Sequence, residues 1–379
     1  MMHHGKFGKM SMINDQFQQD YSGKKVLITG HTGFKGSWLT QWLLSMGASV
    51  AGISDKIPTS PSLFEALNLT HYIEDIRLDM TDFDALTSAV NRIEPDIIFH
   101  LAAQPIVKES LKNPTRTFLS NTIGTMNILE SVRTGFKPQA MVMITSDKAY
   151  RNNEWEWGYR ESDELGGNDP YSASKGCAEL IIRSYVTSFF KGTHEYPAIA
   201  SARAGNVIGG GDWSDARIIP DAIKACVSDE ILIIRSPHAT RPWQHVLEPL
   251  SGYLTLGQSL LQSHDNHGES YNFGPDATVN KSVEELLQAL ATHWEKVKWK
   301  VESNELTQVE HGLLKLCCDK ALSHLKWQPT LTFDETVKFT ASWYQSFYDS
   351  PDLIKAVTLK QIESYQQKTS GKQLQWANN

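Results

Sequence analysis

One short segment constrains this chain more than any other. An apolar run, Lys25–Thr29 (KVLIT), ends directly in Gly30-His31-Thr32-Gly33-Phe34-Lys35-Gly36, and the pattern FKGSWLTQWLLSM starts at once. The run has no polar alternation, as a strand buried on both faces should. The following pattern puts Trp38, Leu39, Trp42 and Leu43 on one side of a helix that Gly47 stops. A buried strand, a glycine turn and a helix in that order predict a parallel sheet with crossover helices.

The rest of the first half repeats the rhythm. Ala48–Ile53, Asp96–Ala103, Ala140–Ser146 and Ala198–Ala204 read as further buried strands, with a helix over roughly Pro114–Val132 between two of them. The expected fold is α/β, a doubly wound parallel (Rossmann-type) sheet with a smaller, interleaved C-terminal α/β domain. The expected boundaries are a disordered leader over 1–23, the first domain over 24–205 plus a return near 241–257, and the second over 206–240 and 258–360. Helical patterns near Val283–Trp294 and Phe333–Phe347 belong to the second. The leader carries His3-His4, and Met12 is an alternative start.

Composition excludes several classes. The net charge is −7 with no basic cluster, which argues against nucleic acid. No apolar run approaches the ~20 residues of a membrane span, and the first residues lack the apolar core of a secretory signal. Cys177, Cys226, Cys317 and Cys318 form no CxxC pair, so neither a disulfide framework nor a zinc site is expected, and a reducing cytoplasm fits.

The glycine segment has the context a dinucleotide pyrophosphate loop requires, although its spacing is GxxGxxG and not GxGxxG. Gly30 allows the turn, Gly33 a close approach to phosphate, and Gly36 tight helix–strand packing, with the helix N-terminus at Phe34 facing the anion. His31 and Lys35 are unusual inside such a loop; Lys35 stands either beside the phosphates or as a solvated helix charge. Asp55, nineteen residues after Gly36, favours a ribose 2′-hydroxyl and hence NAD, with Ser54 as the other candidate. Asp79 and Met80, or less strongly Asp75 and Ile76, are placed to flank an adenine. Leu101-Ala102-Ala103-Gln104 ends a strand with small residues against the cofactor.

Tyr171 and Lys175 are four residues apart, hence on one helical face. That pairing suits a phenolate base with an ammonium beside it. Ser146, twenty-five residues upstream, can hold the same substrate hydroxyl. Asp147 and Lys148 add a second acid/base pair, which alcohol oxidation alone does not need and expulsion of water does.

These residues resemble the extended short-chain dehydrogenase/reductase superfamily. The strings TGHTGFKGSW, TSDKAYRNNEWEWGYRESDELGGNDPYSASKGCAEL, RAGNVIGGGDW and RPWQHVLEPLSGYL resemble its CDP-glucose 4,6-dehydratase family, over about Lys24 to Trp343. The resemblance implies conversion of CDP-glucose to CDP-4-keto-6-deoxyglucose, NAD that is reduced and reoxidised in each turnover, and a homodimer or homotetramer. It assigns Ser146, Tyr171 and Lys175 to the oxidation, Asp147 and Lys148 to the loss of water, and Gln104, Asn121, Asn206, Arg217 and Arg241 to the sugar nucleotide. The related dTDP-glucose enzymes have Asp-Glu in place of Asp-Lys, so the carbon-5 base stays open between Lys148 and a neighbour. A nucleotide-sugar 4-epimerase and a dTDP-glucose-type dehydratase are the alternatives. Trp155 and Trp157, in the loop before Tyr171, either line the site or pack that loop down.

Overall fold

The computed structural model describes residues 17–191, 195–302 and 313–377. Its centre is a seven-stranded sheet in which every pairing is parallel. The strands are β1 (Lys25–Thr29), β2 (Ser49–Ser54), β3 (Glu74–Arg77), β4 (Ile97–His100), β5 (Ala140–Ile144), β6 (Ala198–Arg203) and β7 (Ser270–Asn272), in the order β7-β6-β5-β4-β1-β2-β3. The order reverses beside β1, so the connections that leave β1 and β4 at their carboxyl ends run to opposite sides. That is where ligands settle in open α/β sheets. The doubly wound sheet expected from the sequence is therefore present.

Two cores flank it. On one face α1 (Phe34–Ser45) and α7 (Leu247–Gln262) cover the sheet, with Trp38, Leu39, Trp42, Leu43, Leu250 and Leu254 fully buried. On the other lie α2 (Phe83–Ile93), α4 (Gly124–Thr134) and α5 (Pro170–Phe189). Burying one large apolar side chain contributes roughly 1.5–3 kcal/mol, so these layers fix the strand ends that carry the site. The expected single helix over 114–132 is instead α3 (Pro114–Phe118), a wide turn over Leu119–Ile123, and α4. The wide turn places Asn121 inside and fully buried.

Three expected boundaries move. Phe17 and Tyr21 are fully buried, and Tyr21 Oη donates to Leu254 O at 2.8 Å, so order begins before residue 24. Phe17 and Tyr21 are separated and flanked by polar residues, too sparse a spacing to show a periodicity. β7 falls inside the stretch expected to be second domain, because a three-residue strand carries no pattern of its own. The chain also stays packed past 360. Helix α10 (Ile354–Gly371), which follows α9 (Phe333–Asp349), sets Tyr365 edge-on to Trp42, with ring centres 5.9 Å apart. Tyr365 Oη donates to Glu248 Oε2 at 2.8 Å, and the same buried carboxylate accepts Thr330 N and Leu331 N at 3.0 and 2.6 Å. Burial pushes Glu248 up to about 7. The return near 241–257 is α7, which packs against β5, β6 and α1.

Candidate active site

The β1–α1 turn meets the end of β4. Gly30 has φ +79°, and a Cβ there would lie 2.7 Å from Ala102 N, while one on Gly36 would lie 2.2 Å from Gly30 O. Only glycine fits either place. Gly33 caps α1 without a side chain, so the first N–H groups of α1, at Phe34 and Lys35, face outward. Leu101 N and Ala102 N donate to Thr29 O and Oγ1, at 3.0 and 3.2 Å, which holds Leu101-Ala102-Ala103 alongside the turn. This cradle, the uncapped helix end and the exposed Asp55 at the end of β2 fit a dinucleotide.

The acids sort themselves by neighbour. Ser54 is buried, with Oγ between His31 Nδ1 (3.1 Å) and Thr32 N (3.5 Å), so Asp55 is the group presented at the strand end. His31 is fully buried, and its Nε2 lies 2.9 Å from Asp75 Oδ1. It braces the loop from below and reaches a cofactor only through that loop. Burial lowers its pKa, against the pull of Asp75. Asp79 accepts Thr81 N and Oγ1 at 2.9 and 2.8 Å, and Met80 is buried behind it.

The reactive end gathers around α5. Asp169 caps the helix by accepting Ser172 N at 3.0 Å, and Pro170 opens it. Tyr171, Lys175 and Glu179 then occupy one face, one turn apart, all buried. Below them Glu179 holds Arg203 through Nε at 2.8 Å and Nη2 at 2.9 Å, and accepts the hydroxyls of Thr145 and Ser201. Arg203 Nη1 continues to Tyr150 Oη at 2.7 Å. A fully satisfied buried ion pair of this kind fixes geometry. It ties α5 to the ends of β5 and β6 and to the loop before Tyr171.

Ser146, at the end of β5, donates to Asp147 Oδ1 at 2.9 Å and accepts Lys148 N at 3.2 Å. The tight turn over Asp147–Ala149 sends the two neighbours apart. Asp147 is buried against Gly205, where a Cβ would sit 1.8 Å from Oδ2, while Lys148 is half-buried and faces a pocket. Burial pushes Tyr171 up to about 12, and the Ser146 hydroxyl and Arg217 pull the other way. The sequence suggested Lys175 as the group that lowers the phenol. Lys175 is itself brought down to about 8 by burial, with Glu179 opposing, so in the protein alone Ser146 and Arg217 do that work.

Lys35 is not a solvated helix charge. Its Nζ reaches Tyr253 Oη at 3.4 Å, and its pKa falls to about 8 through burial and the charges of Arg217 and Lys175, against Asp147. It is half-buried and belongs to the charge cluster of Asp147, Lys175 and Arg217. Arg217 Nη1 holds Asp212 Oδ2 at 2.8 Å, and the residue before it, Ala216, is left-handed at φ 59°. A left-handed alanine costs about 1–2 kcal/mol, which the surrounding contacts must offset. The pocket on the other side is lined by Lys148, Asn206, Arg241, Asp169, Ser172 and Leu314. Asn206 is also left-handed, at φ 51°.

Two expected substrate residues sit deeper than the sequence suggests. Asn121 Oδ1 accepts Gln104 N at 2.7 Å, and its Nδ2 donates to Gln104 O and Ser174 Oγ at 3.1 and 2.9 Å. It braces α5 and acts on a ligand only through the Gln104 loop. Gln104 itself donates to Thr117 Oγ1 at 2.9 Å and accepts Ile106 N at 2.5 Å. Trp155 packs down, stacked on Tyr159 at 5.1 Å, while Trp157 is exposed. Tyr253 and Arg116 were missed from the sequence; both come to the site from far along the chain, with no local motif to mark them. Among the described residues no metal-binding cluster of His, Cys, Asp and Glu is found, and no helix is long and apolar enough to cross a membrane. The four cysteines are free.

Known proteins can be set beside this geometry. Residues 27–340 match the profile of the GDP-mannose 4,6 dehydratase family. The chain is 42% identical over 363 residues to a CDP-glucose 4,6-dehydratase of Salmonella typhimurium, covering 95% of this chain and 100% of that protein. It is 25% identical over 349 residues to a dTDP-glucose 4,6-dehydratase of Haemophilus influenzae, covering 84% and 97%. Among solved structures, a UDP-glucuronic acid 4-epimerase of Bacillus cereus, in complex with UDP-glucuronic acid and NAD, superimposes with a TM-score of 0.72 at 22% identity, covering 86% and 100%. That likeness concerns the fold alone.

Proposed function

The chain belongs to the GDP-mannose 4,6 dehydratase family, and on that premise we propose that it converts CDP-glucose to CDP-4-keto-6-deoxyglucose and water, using NAD. The observation that carries the reading is the divergence of Asp147 and Lys148 beside Ser146 and Tyr171. One member of that acid/base pair, Asp147, faces the charge cluster, and the other, Lys148, faces the pocket. A 4-epimerase needs only the Tyr171–Lys175 unit.

Each residue then has a task. Tyr171, with Ser146 beside it, takes the proton of the sugar 4-hydroxyl. Lys175 and Arg217 supply positive charge there. When bound, NAD supplies the acceptor for hydride from carbon 4 and its return to carbon 6. The ketone at carbon 4 acidifies the hydrogen on carbon 5, and Lys148, facing the pocket, removes it. Asp147, held by Ser146, protonates the departing 6-hydroxyl. Each positioned acid or base of this kind is typically worth ~10²–10⁴-fold. Arg241 suits the diphosphate, since a guanidinium binds phosphate oxygens in pairs. A cytoplasmic homodimer or homotetramer accompanies this reading.

Incubation with CDP-glucose, dTDP-glucose and UDP-glucose tests it, with the 4-keto product as readout. CDP-glucose should lead dTDP-glucose by at least ~10²-fold, because polar groups left unpaired in a base pocket are costly. Deuterium on carbon 4 should reappear on carbon 6 with no net NADH. Equal rates would discard the cytidine assignment, and NADH released in step with product would discard the dehydratase.

A further inference from the structure

The two acids at the cofactor end of the cleft share one guanidinium. Arg116, on α3, donates Nη1 to Asp79 Oδ2 at 2.6 Å and Nη2 to Asp55 Oδ2 at 3.2 Å. Asp79 and the helix that carries Arg116 are each held from behind. Asp79 Oδ1 is occupied by Thr81 N and Oγ1. Helix α3 is capped by Asn113 Oδ1 on Arg116 N at 3.2 Å, and its Thr117 accepts Gln104 Nε2 at 2.9 Å. Asp55 has no other side-chain partner among the described residues. Its other oxygen accepts no hydrogen bond among the described residues.

Stability does not explain the arrangement. The three side chains are 36%, 43% and 38% exposed, and ion pairs that open to water contribute little. The bridge instead sets charge and orientation at one point of the cleft. Two carboxylates and one guanidinium leave a net negative charge, and both outer guanidinium nitrogens are engaged. A ribose hydroxyl can donate to Asp55 there; a 2′-phosphate meets the net negative charge, with Nη1 and Nη2 of the guanidinium already directed at carboxylates.

We propose that Arg116 sets cofactor selectivity: it holds Asp55 in position for the ribose of NAD, and it is a latent 2′-phosphate site that Asp55 masks. The step rests on the NAD reading above. Removing the Asp55 charge should leave Arg116 anchored by Asp79 with Nη2 open, and phosphate is matched to that fork.

The test is titration of the unliganded enzyme with NAD and with NADP, following intrinsic tryptophan fluorescence, with melting curves confirming that each variant is folded. Wild type should prefer NAD by about 100-fold or more. Arg116→Ala should weaken NAD by about three- to tenfold, because Asp55 loses its brace. Asp55→Asn should weaken NAD and strengthen NADP by about tenfold or more, the size expected for a hydrogen bond to a charged group. The double variant Asp55→Asn/Arg116→Ala should lose the NADP gain. A gain that survives in the double variant, or no gain in Asp55→Asn, overturns the assignment to Arg116 while leaving NAD in place. Wild type that binds neither dinucleotide, or prefers NADP, overturns the NAD reading and this inference together.

Discussion

The buried end of the cleft, where Asp147, Tyr171 and Lys175 meet, and its open side, where Lys148, Asn206 and Arg241 stand, are held by different means. The buried groups follow the end of β5 or sit on α5, the Glu179–Arg203 pair ties those two elements together, and burial displaces the proton affinities of Tyr171 and Lys175. The open side is assembled from a tight turn, a left-handed asparagine and a two-residue strand, Thr240–Arg241, paired with Lys281–Ser282. The contrast teaches where rigidity matters. Proton transfer needs reacting atoms placed to a fraction of an ångström, while a long nucleotide sugar needs a wall that can receive it.

The largest break in that contrast comes from Tyr171→Phe. The ring still packs, so the melting point should hold while kcat falls by ~10²-fold or more. A folded variant with near-normal turnover would make the buried end a structural device only. Next come the two neighbours. Lys148→Met should still reduce bound NAD yet yield no dehydrated sugar, and Asp147→Asn should be slow, by ~10²-fold, with glucose but recover on a 6-fluoro analogue, because fluoride leaves without a proton. Normal product from Lys148→Met would move the carbon-5 base elsewhere, and no fluoride rescue would remove Asp147 as the acid. The smallest effect concerns pH. Tyr171 must lose its proton to act, so the rate should rise with pH. Ser146 holds the phenol down, so Ser146→Ala should push that rise to higher pH and lower the rate at neutrality by about tenfold. A pH–rate profile displaced toward acid would contradict the role given to Ser146.

The sequence made legible what local pattern can carry. The apolar run before Gly30, the Tyr171–Lys175 spacing and the helical periods at Val283 and Phe333 depend on near neighbours, and the structure has a strand or helix at each. What it hid depends on long-range closure. Lys35 meets Tyr253 across 218 positions and Arg116 meets Asp55 across 61, and no spacing rule encodes either. The boundaries were obscured for the same reason: β7 is only three residues long, and Phe17 and Tyr21 have only polar residues directly beside and between them. Asn121 and His31 were recognised as important but assigned outward, because burial of a polar side chain is decided by the partners it finds.

Phe17 and Trp376, 359 positions apart, stack with ring centres 6.1 Å apart and planes at 23°. The described chain thus returns to the place it leaves. Its order of elements is therefore not tied to where the polypeptide is cut. The two ends could be joined by a short linker and new ones opened at the exposed turn around Trp157, as in a circular permutant. The cut would fall between β5 and β6 and so inside no strand, and the glycine cradle and α5 would each stay on an uninterrupted stretch, so the fold stores its architecture in contacts that a cyclic rearrangement of the sequence would preserve.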